Sequence, residues 1–129
     1  MLAAQDADSL SAVTAFHVVE HLPLAAQLGL MTAAHRALAP GGILVLETPN
    51  PENVLVGACT FYMDPTHLRP VPPTLLRFLL EASSFEVLDV RRLHPDDAIV
   101  ARAERESWPA GLTEVLGAPR DYAIVARRS

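Results

Sequence analysis

Ser11-Ala-Val-Thr-Ala-Phe-His-Val-Val-Glu-His-Leu22 joins an apolar, β-branched run to a His-x-x-Glu-His cluster. The run from Leu10 to Phe16 is continuous rather than alternating, the pattern of a buried strand in a parallel sheet covered on both faces. Pro23 marks a turn or a helix start. Working outward, Leu24 to Leu38 predicts a helix, with Leu24, Leu28, Met31, His35 and Leu38 on one stripe. Ala39-Pro-Gly-Gly42 ends it, because proline cannot continue a helix and glycine permits left-handed geometry. Ile43-Leu-Val-Leu46 then predicts a second buried strand. A strand, a helix and a strand joined by tight turns make a right-handed βαβ unit.

Glu47-Thr-Pro-Asn-Pro-Glu-Asn53 reads as a polar loop at the carboxyl end of that second strand, the edge where open α/β sheets bind ligands. The His17–His21 cluster closes the first strand at the same end, so the two segments are expected as neighbours on one rim. Val54 to Tyr62 is a short helix or an irregular apolar segment. Met63-Asp-Pro-Thr-His67 is another polar loop. Pro73 opens a helix to about Ser83, with Leu75, Leu76, Leu79 and Ala82 inward. Phe85 to Leu93 reads as a strand. Residues 94–119 show only a charged stretch at Glu104–Glu106, a break at Trp108-Pro-Ala-Gly111 and one helical turn over Leu112–Leu116. Tyr122 to Arg127 is a final strand. The expected order is strand, helix, strand, helix, strand, strand: one α/β domain over 1–129, mostly parallel, with the last two strands antiparallel at one edge.

Composition narrows the function. Half of the 129 residues are hydrophobic and 19% are charged, which excludes a disordered chain and leaves enough for one core. The net charge of −5 argues against nucleic-acid binding, whose affinity comes mostly from cations on phosphates. Cys59, the single cysteine, cannot form an internal disulfide and reads as a small buried hydrophobe in a reducing, cytoplasmic setting. No apolar run is long enough to span a membrane. The first eight residues lack the pattern of a signal peptide, and residues 1–9 read as a short, acidic, frayed lead-in.

His17-Val-Val-Glu20-His21 also spells the inverted zinc-peptidase motif, which needs both histidines on one helical face. The preceding strand and the following Pro23 leave little room for such a helix, so zinc peptidase chemistry stands only as a remote alternative and no metal site is expected. Asp64 and His67 can orient a hydroxyl or accept its proton, with an Asx-turn as the structural alternative. Asn50 and Asn53 can meet a substrate or simply stabilise a turn. His35 and Trp108 read as packing residues, and Arg91-Arg92 and Arg127-Arg128 as solvated strand ends.

The strand ending in Phe-His-Val-Val-Glu-His-Leu, the helix ending in His-Arg-Ala-Leu-Ala-Pro-Gly-Gly, and Ile-Leu-Val-Leu-Glu-Thr-Pro-Asn-Pro-Glu-Asn together resemble class I S-adenosylmethionine-dependent methyltransferases. Asn-Pro-Glu-Asn with Phe-Tyr-Met-Asp-Pro-Thr-His and Pro-Pro-Thr-Leu-Leu-Arg-Phe is similar to a bacterial subgroup associated with surface-polysaccharide synthesis, including the methyltransferase part of the O-antigen chain-terminator methyltransferase/kinase. The resemblance runs from about Asp8 to Arg128 and covers the second half of that family's domain. It implies a partial Rossmann-like sheet whose N-terminal strands and Gly-rich cofactor loop are missing here; Gly41-Gly42 match the family's Pro-Gly-Gly turn. It further implies S-adenosylmethionine as cofactor, Phe16 and His17 as cofactor contacts, and His21, His67 and Asp64 as candidates for catalysis. Glu47, Asn50 and Asn53 are the candidates for a small-molecule or glycan substrate with a hydroxyl or phosphate oxygen as methyl acceptor. Without a flanking strand, strand 10–16 is an exposed edge, a pairing hazard. A homodimer or a partner chain through that edge, a silent half-domain acting by association, and a truncated reading of a longer gene are the corresponding expectations.

Overall fold

The four strands of the sheet are β1 (Leu10–Phe16), β2 (Leu38–Pro49), β3 (Phe85–Leu93) and β4 (Asp121–Arg128), in spatial order β1-β2-β4-β3. This computed structural model describes residues 1–129. β1 and β2 are parallel, whereas β4 runs antiparallel to both β2 and β3. Three strands therefore share one direction and β4 returns between two of them. This is a mixed α/β sheet, the partial Rossmann-like arrangement that the resemblance implies.

α1 (Leu24–Ala37) links β1 to β2. Its buried side chains are Gln27, Met31, Ala34 and Ala37, while Leu24 and Leu28 are 42% and 37% exposed. The apolar stripe is thus rotated from the expected one. The cause is Gln27, whose amide donates to the carbonyls of Val19 (2.9 Å) and Leu22 (3.1 Å) and so pulls its own face of the helix inward. The Pro-Gly-Gly segment does not separate helix from strand either. The helix stops at Ala37, and Pro40-Gly41-Gly42 forms an irregularity inside β2, where the register passes from Leu10↔Leu38 to Ala12↔Ile43. Gly41 has φ +80°, and a Cβ on Gly42 would meet the Ala39 carbonyl at 2.9 Å, so both glycines are required there.

β2 also extends through Glu47-Thr48-Pro49, leaving only Asn50–Asn53 as the turn before α2 (Val54–Ala58). A 3₁₀ turn follows at Thr60–Met63, and α3 (Pro73–Ala82) buries Pro73, Leu76, Leu79 and Leu80. Ala82, expected inward, is exposed. The poorly patterned region 94–119 holds two helices, α4 (Asp97–Glu106) and α5 (Ala110–Leu116). Cys59 is exposed rather than buried, lying at the junction of α2 and the 3₁₀ turn. The lead-in is tied down: Arg36 donates to the carbonyls of Ala3 and Gln5.

The core lies on one side of the sheet, where Leu44, Leu46, Ile124 and Ala126 meet Met31 and Ala34 of α1 and Leu76 and Leu80 of α3. Burial in β2 alternates strictly from Gly42 onward, with Leu44, Leu46 and Thr48 fully covered and Ile43, Val45 and Glu47 only partly so. β1 contains no buried residue, and Phe16 is 56% exposed. The apolar runs of both strands were therefore a poor guide to two-sided burial: they form a half-open sheet with β1 at its edge. No helix is long and apolar enough to cross a membrane.

Candidate functional site

The carboxyl ends of β1 and β2 and the start of β4 converge on one rim. β1 ends in register with Glu47 of β2, and Asp121 opens β4 opposite Pro49 and Leu93. His17 leaves β1 in a left-handed conformation (φ 53°), and its N–H is held by the Glu47 carbonyl at 2.8 Å. Its ring faces three carboxylates: Nδ1 is 3.2 Å from Glu20 Oε1, while Nε2 lies 3.3 Å from Glu47 Oε1 and 4.0 Å from Asp121 Oδ1. His94, also left-handed, completes this side with Nδ1 2.7 Å from Asp121 Oδ2.

Glu20 and His21 belong to a single 3₁₀ turn, Val19–His21. The Glu20 side chain is fully buried, and its Oε2 accepts from the Thr48 hydroxyl at 2.9 Å. The Glu20 carbonyl accepts from Leu68 N at 2.9 Å, which docks the 64–68 loop against the cluster. In that loop the Asp64 carboxylate accepts from the Thr66 hydroxyl (2.6 Å) and the Thr66 N–H (2.8 Å). These bonds hold Asp64 below its ordinary pKa. The His21 and His67 rings meet edge to face with centroids 4.7 Å apart.

The rim thus brings together Phe16, His17, His21, Glu47, Asp64 and His67. The asparagines are placed differently. Asn50 and Asn53 are both fully buried. Asn50 donates to the Pro119 carbonyl at 2.9 Å and accepts from Glu52 N. Asn53 caps α2 by accepting from Leu55 N and Val56 N, and donates to the carbonyls of Leu116 and Ala118. Their side-chain amides pin the 116–120 segment, the turn-stabilising role, while Asn50 also lies in the wall of the cleft beside α5. The zinc-peptidase geometry is not formed, because His17 and His21 share no helical face: one lies in a left-handed bend and the other in the 3₁₀ turn.

Asp121, Thr48 and Thr66 escaped the sequence reading. An antiparallel return of the last strand carries its first residue to the rim where the parallel strands end, and that topological step was the available signal for Asp121. Thr48 was taken for loop, yet it sits on the covered face of β2.

One cavity adjoins the rim and a second lies apart from it. A small one of about 160 Å³ has Phe61, His67, Arg120 and Asp121 in its wall, between the two histidine groups. A larger cleft of about 650 Å³ lies outward, between the Asn50–Glu52 turn and α5, with the Glu52–Arg92 ion pair (2.9 Å) in its wall.

A family model described as a methyltransferase domain matches residues 1–90. A Mycolicibacterium smegmatis protein described as a probable S-adenosylmethionine-dependent methyltransferase is 37% identical over 81 residues, covering 63% of this chain and 30% of that protein. The crystal structure of an S-adenosylmethionine-dependent methyltransferase from Archaeoglobus fulgidus superposes with a TM-score of 0.80 at 27% identity, covering 98% of this chain and 62% of that one. A Haloferax volcanii methyltransferase, solved in complex with the Trm112 methyltransferase activator, shares the fold at a TM-score of 0.69 and 16% identity, covering 97% of this chain and 57% of that one. The chain spans less than a third of the curated relative's length and under two thirds of these structures.

Proposed function

This chain belongs to the methyltransferase-domain family, and from that premise we propose that it forms the acceptor-side wall of an S-adenosylmethionine-dependent methyltransferase acting on a hydroxyl or phosphate oxygen. S-adenosylmethionine is the cofactor its relatives imply. The observation that supports this reading is the convergence of His17, Glu20, Glu47 and Asp121 with His21 and His67 at the carboxyl rim, beside an exposed Phe16.

These residues fit one side of the cofactor. Three carboxylates around His17 suit the neighbourhood of a sulfonium cation, and the exposed Phe16 ring offers an apolar contact. When bound, the cofactor supplies an electrophilic methyl group that leaves its sulfur as a C–O bond forms. The chain's own part is to align the acceptor in line with that bond, which is where most of the rate gain of such a displacement arises. His21 and His67 are the groups to receive the proton of an acceptor hydroxyl. Asp64, with its pKa lowered by two bonds from Thr66, holds the loop in place more effectively than it would accept a proton. A phosphate oxygen is already anionic and needs no base. A sugar-containing, surface-polysaccharide precursor in the cytoplasm of a bacterium is the acceptor that the motif resemblance favours, and the acidic balance disfavours nucleic acid.

The exposed β1 edge favours a second element of this reading: pairing with a second copy or a partner chain through residues 10–16. The Haloferax volcanii methyltransferase is solved with an activator protein. A chain that acts by association alone, without binding cofactor, is the competing function. Calorimetric titration with S-adenosylmethionine separates the two. Heat that saturates and is lost in a His17→Ala, Phe16→Ala double variant supports the enzyme wall; no heat at millimolar cofactor ends the idea that this chain binds it unaided.

A further inference from the structure

We propose that Glu20, His21 and His67 form a binding site for one divalent first-row transition-metal ion. The three residues each direct a ligand atom to a common region, all within 4.8 Å of one another. What singles them out is the state of their hydrogen bonds. The one hydroxyl proton of Thr66 goes to Asp64, 2.6 Å away. The Thr66 hydroxyl oxygen, 2.9 Å from His21 Nδ1, and the Thr66 carbonyl, 3.2 Å from it, can then only accept. His21 Nδ1 therefore carries the proton, and its Nε2 keeps a free lone pair. His67 Nδ1 lies 2.6 Å from the Phe61 carbonyl, another obligate acceptor, so His67 too is fixed with Nε2 unprotonated in the neutral ring. That Nε2 lies 3.6 Å from Asp64 Oδ2, beyond hydrogen-bond reach and farther than either carboxylate contact of the His17 ring at 3.2 and 3.3 Å. An imidazole that donates from one nitrogen to a carbonyl or hydroxyl oxygen is the arrangement that orients metal-binding histidines.

The third ligand is the fully buried Glu20 carboxylate. Its protein partners are the Thr48 hydroxyl and the His17 ring, which leaves lone pairs on both oxygens. A carboxylate removed from water calls for a nearby cation. Two imidazoles and one carboxylate suit zinc, iron, cobalt or manganese better than magnesium or calcium, which prefer all-oxygen sites. Three protein ligands also leave coordination positions open, as in metal sites that act on a substrate rather than only brace a fold. The neighbouring set of His17, Glu47 and Asp121 is equally close-packed, but both ring nitrogens of His17 are already turned on carboxylates.

Metal binding stands apart from the methyl-transfer reading. Only its use, drawing in an acceptor hydroxyl and making it more acidic, rests on that reading; in that case the two imidazoles serve as ligands, not as bases.

The test is made without S-adenosylmethionine, so its failure is separate from failure of the methyltransferase reading. Zn²⁺ is titrated calorimetrically into the full chain after chelator treatment. One equivalent is expected to bind. His21→Gln and His67→Gln are each expected to weaken binding by about tenfold or more, at least the effect of disturbing a metal site's outer partners, while His94→Gln leaves it unchanged. Because a ligand variant can unfold, a second readout uses the unaltered chain. Its histidine ring resonances are followed during the same titration, and those of His21 and His67 should move while those of His35 and His94 stay. Absence of stoichiometric binding overturns the proposal. So does binding that survives both Gln variants, or binding that depends on His17 and Glu47 instead.

Discussion

The two faces of the sheet are made from the same strands and similar residues, yet they do opposite things. On the covered face Leu44, Leu46, Ile124 and Ala126 are fully buried under α1 and α3. On the other, Val45 lies beside Val125 in the ladder and is only partly covered, while Thr14 and Phe16 of β1 are exposed. Hydrophobicity alone does not distinguish Leu44 from Val45; the presence of a helix above does. Stability should therefore reside on one face, leaving the edge and the open face available for association.

The largest effect should come from the covered face. Leu46→Ala leaves a cavity at a fully buried site, and is expected to cost about 2–5 kcal/mol, measured by urea unfolding. A loss below about 1 kcal/mol would mean that this face is not the core. Next comes Tyr122, buried on the same face, whose hydroxyl donates to the Val71 carbonyl at 2.6 Å. Tyr122→Phe orphans that carbonyl and should cost about 1–3 kcal/mol. Burial, with smaller contributions from the charges of Glu52 and Glu20, pushes the Tyr122 phenol well above its ordinary range. A raised pKa means that the folded state disfavours the ionised form. The stabilisation is therefore complete below the unfolded phenol value of about 10 and lost as pH rises beyond it. The chain has no lysine, so few other side chains titrate in that window. Tyr122→Phe should flatten the alkaline decline in melting temperature; an unchanged decline would contradict the burial.

The same contrast explains what could be read before the fold was in hand. β1, α3, β3 and β4 were legible to within a residue or so because strand and helix periods, Pro73 and the flanking breaks are local signals. The helix stripe was misplaced because Gln27, a polar residue, commands the buried face through two carbonyls that belong to another element. α4 was missed because its sequence is heavily charged and its start depends on a cap, Asp96 accepting from Ile99 N; α5 was only partly seen because it is short, seven residues after Pro109. At the rim, His17, His21 and His67 were legible as polar residue types grouped where the parallel strands end. Asp121 depended on the antiparallel return of β4, and the inward roles of Asn50 and Asn53 depended on carbonyls more than sixty residues away.

The smallest effect is the most informative about the open face. Val45 sits between Thr14 of β1 and Val125 of β4, partly covered and on the side away from α1 and α3. If that face meets only water, Val45→Thr replaces a methyl by a hydroxyl on a half-solvated strand, where Thr retains the β-branched preference. The change should then stay within about 0.5 kcal/mol and be independent of protein concentration. If a second copy covers the face, the same substitution places a hydroxyl in an interface. The cost would then grow with protein concentration, and the melting temperature of the unaltered chain would rise with concentration and fall on dilution. Melting curves across a hundredfold range of concentration, run for both proteins, distinguish a surface that merely tolerates exposure from one that is built to be covered.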